Sequence, residues 1–84
     1  MSGFDITWEE VLAKLTNERA INYAKIYEAE KPELLPEMVN SLLGAPSQEQ
    51  FESFTLLYIM DMKYPRADIA FATRIVGREK GWRH

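Results

Sequence analysis

The side chains with the most to offer chemically are cations gathered at the end of the chain: Arg66, Arg74, Arg78, Lys80 and Arg83, with Tyr64 and Trp82 among them. A guanidinium presents a fixed fork of N–H donors that matches carboxylate and phosphate oxygens, and Tyr and Trp are residues that binding surfaces favour. Counted at about 100° per residue from Arg66, the stretch places Arg66, Arg74, Arg78 and Lys80 on one helical arc, interleaved with Ala67, Ala70, Thr73 and Gly77. Phe71, Ile75, Ala72, Val76 and Ile69 share the opposite arc. Small residues let a second surface approach closely, and long cations can then reach around it. That chemistry is anion recognition, directed at an acidic protein surface or a phosphate backbone. The plain alternative is a solvated outer face whose cations complement the negative C-terminal end of their own helix.

Charge along the chain narrows the partner. Up to Met62 there are four basic residues against eleven acidic ones, a net of −7, and from Lys63 onward six against two, a net of +4. The molecule is a charge dipole with an overall charge of −3. Nucleic-acid-binding domains are usually basic as a whole, so a protein partner is the first expectation and nucleic acid the second. The second has a concrete form: a helix over 48–63, the short Tyr64-Pro65 turn and the basic helix make a loose helix-turn-helix.

Covalent and acid–base chemistry is harder to assemble. The one histidine is His84, the last residue, and there is no cysteine. Thr7 and Ser47, the best-placed hydroxyls, are occupied as helix caps. The acid clusters at Glu9-Glu10, at Glu28, Glu30 and Glu33, and at Glu49 with Glu52 sit on helix starts or turns, where carboxylates complement the helix dipole and keep the surface soluble. Gly3, Gly44, Gly77 and Gly81 are scattered singly, with no loop to cradle a phosphate. The expectation is a protein that is not an enzyme and carries no cofactor and no metal. No run reaches the roughly 18 apolar residues of a membrane span, and Met1–Trp8 lacks the pattern of a secretory signal. With no thiol chemistry in use, a cytoplasmic setting is expected.

The elements that must position these residues read as helices. Thr7 with Glu10 forms a capping box that starts a helix at Trp8. The polar run Thr16-Asn17-Glu18-Arg19 then interrupts the apolar stripe, so that either one bent helix runs to about Glu30 or Thr16 or Asn17 caps a second one. An Asn with an acid right behind it is a natural cap and favours two helices with a tight corner between them. Lys31-Pro32 closes it. Glu33 to Leu43 forms a short helix with Pro36 in its first turn and Gly44 as a left-handed stop. Ser47 with Gln50 is a second capping box, opening a helix to Lys63 in which Phe51, Phe54, Leu56, Leu57, Tyr58, Ile59, Met60 and Met62 point almost every way. A helix apolar all round belongs at the centre of a protein. Tyr64-Pro65 ends it, the last helix spans Arg66 to Lys80, and Gly81 stops it. Gly77 either permits a close approach or marks a bend.

These readings converge on a single all-α domain over 1–84: about five short helices packed around a central apolar helix at 48–63, with a short tail at 81–84. At 46% hydrophobic residues the chain is too apolar to stay disordered. The expected function is a non-catalytic interaction module, an adaptor, inhibitor or assembly factor, docking on another protein through Tyr64, Arg66, Arg74, Arg78, Lys80, Trp82 and Arg83. A homo-oligomer formed by head-to-tail charge pairing or through the apolar helix is its natural companion.

Overall fold

Helix starts are where the local sequence speaks most clearly, because the first backbone N–H groups of a helix have no partner inside it. The Thr7 hydroxyl accepts from the Glu10 N–H at 3.2 Å and opens α1 (Trp8–Lys14). The Asn17 side chain accepts from the Arg19 N–H at 2.9 Å and opens α2 (Glu18–Glu28). Ser47 does the same for the Gln50 N–H at 3.2 Å and opens α4 (Gln48–Asp61). With α3 (Leu35–Leu43) and α5 (Arg66–Lys80), these make five helices among the described residues. The structure, a computed structural model, describes residues 6–30 and 35–82, and among the described residues there is no strand. The expected break at Lys31-Pro32, the start of the third helix at Glu33, and Arg83-His84 of the tail lie outside the described residues.

Two helix ends depart from expectation. Gly44 donates to Asn40 and Ser41 carbonyls without taking the left-handed conformation. That conformation appears instead at Met62, φ 60°, which caps α4 so that the helix ends at Asp61 rather than Lys63, and at Gly81, φ 75°, which ends α5 as expected. Pro65 precedes α5, its φ of −59° already helical and its missing N–H no loss there.

The all-α bundle of five helices is as the sequence indicates, but its centre is α5, not α4. Ile69, Ala72, Thr73, Ile75, Val76 and Gly77 of α5 are buried against α2, α3 and α4. α4 buries Phe51 alone among its residues and leaves Leu56, Leu57 and Met60 exposed. The physical reason is supply of partners. α5 is flanked on three sides, so its buried sector widens to take in Thr73 and Gly77, which the angular count assigns to the cationic arc. The Thr73 hydroxyl resolves its burial by donating to the Ala70 carbonyl at 2.8 Å. α4 lies at the edge, against α3 and α5 only. Loose packing does not explain the exposure, since a radius of gyration of 11.7 Å matches the about 12 Å of a folded chain this long.

α2 and α5 run antiparallel, and their register is held at both ends. The Glu79 carboxylate accepts from the Thr16 N–H and the Asn17 N–H, both at 2.8 Å, and from the Thr16 hydroxyl at 2.5 Å. At the other end of α2, the Tyr27 hydroxyl donates to the Asp68 carboxylate, and the Tyr27 ring lies 3.9 Å from that of Phe71. The corner between α1 and α2 is thereby pinned to the end of α5.

Candidate functional site

Because α2 and α5 are clamped at both ends of their contact, the outward side chains between the clamps form the walls of a groove. Its wider part has a volume of about 670 Å³ and is lined by Asn17, Arg19, Arg74, Gly77, Arg78, Gly81 and Trp82. An adjoining hollow of about 370 Å³ shares Arg19 and Arg78 and adds Asn22, Tyr23 and Ile26. Three arginines therefore line one depression, one from the first turn of α2 and two from the last half of α5. No acidic residue is among the lining residues of either part. Among the described residues none of the three arginines makes an ion pair.

The walls are not purely cationic. The Arg78 guanidinium stands 5.6 Å over the Tyr23 ring, and Tyr23 in turn meets Phe71 edge-on at 6.3 Å. Stacking of this kind holds the arginine out over the groove while leaving its N–H edges free to donate. Ile26 is exposed, and half-buried Trp82 packs on Phe51 at 5.5 Å while its other side faces the groove. Buried Gly77 sits on the α5 wall, and the helix runs through it without ending.

The cations of the groove have no acidic residue beside them in its lining. Arg19 lies in the first turn of α2, where the helix dipole disfavours a cation, and it faces two further cations. Neighbouring Glu79, which could have compensated them, is committed to Thr16 and Asn17. Burial raises its pKa, but the Thr16 hydroxyl, the Asn17 and Thr16 backbone N–H groups and nearby Lys80 outweigh that and hold it below the ordinary carboxylate value. At the far end of the same helix pair Tyr27 is pushed up to about 12 by burial first, then by its hydrogen bond to Asp68 and the charges of Asp68 and Glu30. Both groups are parts of the frame, one ionised and one neutral at pH 7.

Of the residues singled out from sequence, Arg74, Arg78 and Trp82 meet in the groove. Arg66 is exposed at the first position of α5, and Lys80 is exposed near its end; neither lines the groove. Tyr64 packs edge-on against Tyr58 at 5.0 Å, with the Lys63 ammonium 5.5 Å over it, on the α4 side of the molecule. Arg83 lies outside the described residues. The α2 wall, Asn17, Arg19, Asn22, Tyr23 and Ile26, was not anticipated. Arg19, Asn22, Tyr23 and Ile26 do recur at three- and four-residue spacing, a signal that they share a face, but nothing local says which helix that face adjoins.

Compared with known protein families, curated proteins and solved structures, the chain finds no significant match. Among the described residues no helix is long and apolar enough to cross a membrane, and no three His, Cys, Asp or Glu side chains are grouped to hold a metal ion.

Proposed function

We propose that this protein is a non-catalytic docking module that holds an acidic segment of another protein in the groove between α2 and α5. The observation that carries this reading is the convergence of Arg19, Arg74 and Arg78 on one groove without a lining carboxylate. Like charges brought together are relieved by an anionic ligand, and guanidinium forks suit carboxylates. Tyr23, Ile26 and Trp82 add apolar and aromatic contact, which favours a segment mixing acidic with bulky apolar residues over a bare polyanion. The overall charge of −3 points the same way, because acidic surface elsewhere repels a long nucleic acid.

Exposed ion pairs are individually weak, so several must act together and the affinity belongs in the micromolar range. The test is fluorescence titration with a labelled peptide alternating Glu with Leu and Phe, beside a single-stranded and a duplex oligonucleotide of the same charge. The peptide is expected to bind best, and Arg19→Glu with Arg74→Glu to weaken it at least about tenfold, the effect of roughly one charge-assisted hydrogen bond. Tighter binding of an oligonucleotide, with affinity falling steeply as salt rises, assigns the groove to nucleic acid instead.

A further inference from the structure

The spacing of the three groove arginines limits the kind of negative charge that can satisfy them. Arg74 and Arg78 stand one turn apart on α5, about 6 Å along its axis. The Asn17 N–H donates to Glu79, and α2 runs antiparallel to α5, so Arg19, two residues further along α2, falls roughly level with Gly77, between the other two arginines. Three positive charges thus enter the groove within about one helical turn. A peptide carboxylate brings one charge and two oxygens to such a place, and the next carboxylate on the same face of the peptide lies about 5–7 Å away. A phosphorylated side chain brings nearly two charges and three strong acceptor oxygens to one point, the arrangement that donors from two helices can share.

The rest of the polar lining is compatible with that charge. The Asn17 side-chain oxygen already accepts from the Arg19 N–H at 2.9 Å, so the polar group it has left to offer the groove is its amide NH2, a donor. The acids beside these residues in the chain, Glu18 and Glu79, line neither part of the groove, and Glu79 is held by Thr16 and Asn17. Given the reading of the groove as the seat of an acidic segment, we propose that the segment's charge is concentrated in one phosphorylated side chain, placed among Arg19, Arg74 and Arg78, with its apolar neighbours against Tyr23, Ile26 and Trp82. A free phosphate ion would satisfy the arginines but leave those three side chains without a contact, which favours a phosphorylated peptide over the ion.

Fluorescence anisotropy on the full chain tests this with three labelled peptides that share flanking Leu and Phe residues and carry serine, glutamate or phosphoserine at the centre. The phosphoserine peptide is expected to bind at least about tenfold tighter than the glutamate peptide, and the serine peptide weakest. Arg19→Gln, Arg74→Gln and Arg78→Gln, all at exposed positions, are each expected to lower the phosphoserine affinity by about tenfold and to narrow its lead over glutamate, with the helical circular dichroism spectrum unchanged. Glutamate bound as tightly as phosphoserine overturns the single-phosphate proposal while leaving the acidic-segment reading in place, and so does a lead that survives any one of the three substitutions. Binding by none of these peptides, nor by the peptide alternating Glu with Leu and Phe, overturns both. Inorganic phosphate is expected to displace the phosphoserine peptide only at concentrations far above the peptide's own Kd. Displacement near that Kd gives the groove to the free ion and overturns the proposal.

Discussion

α4 and α5 exchange the roles their compositions suggest. α4 carries the densest run of large apolar residues in the chain yet buries only Phe51, whereas α5, with four basic residues, is buried along Ile69, Ala72, Thr73, Ile75, Val76 and Gly77. Composition records how much apolar surface a helix has; burial depends on how many neighbours it meets. α5 meets three helices and sorts its residues cleanly, with a buried sector inside and its arginines outside. α4 meets two at the edge, and its surplus apolar surface faces outward. The helix that organises the fold is thus the same one that displays the cations, so the groove is built on a helix packed against three others, whereas the far face of α4 stays exposed.

The largest test of this contrast is substitution of a core position on each helix. Ile75→Ala is expected to cost about 2–5 kcal/mol, since a fully buried side chain leaves a cavity, while Leu57→Ala stays within about 0.5 kcal/mol. Urea unfolding measures both. Equal losses would erase the distinction between the two helices.

Next comes the tether that fixes the end of α5 to the α1–α2 corner. Glu79→Gln is expected to lower stability by about 1–3 kcal/mol at pH 7, by replacing a carboxylate that accepts three hydrogen bonds. The sign of the pH dependence follows from the lowered pKa of Glu79 in the folded chain. The unfolded chain takes up the proton first, so the advantage of the native protein over Glu79→Gln is full above the ordinary carboxylate pKa and shrinks as pH falls through the folded value. Urea midpoints of the two proteins between pH 7 and pH 3 should converge on the acid side. Parallel curves would show that the tether works through shape alone.

The smallest effect concerns the end of α4. Met62 holds a left-handed conformation that costs a side-chain-bearing residue about 1 kcal/mol and glycine almost nothing. It is 89% exposed, so Met62→Gly removes little packing and is expected to raise stability by about that amount in thermal unfolding. A loss instead would mean that the exposed Met62 side chain is contributing to the fold.

Sequence alone determined the local punctuation of this protein. Thr7, Asn17 and Ser47 are caps because a side-chain oxygen one position ahead of a helix satisfies N–H groups the helix cannot, and Gly81 is a stop because it tolerates a positive φ. The same reasoning placed α5 at Arg66 to Lys80 and put Arg74 and Arg78 on its outer face. It did not anticipate Met62 as the left-handed cap, since strain at one residue is tolerated when Tyr64-Pro65 and the start of α5 dictate where the chain must go. Two things were decided only by the tertiary structure. One is which helix lies at the centre, because the hydrophobic effect rewards burial without direction and both α4 and α5 have apolar surface to offer. The other is the pairing of Arg19 with Arg74 and Arg78, whose positions in the chain are far apart and meet only because the Glu79 and Tyr27 contacts clamp α2 antiparallel to α5. Capping is local, so it can be read from neighbouring residues; a groove is a relation between helices, and it exists only once they have packed.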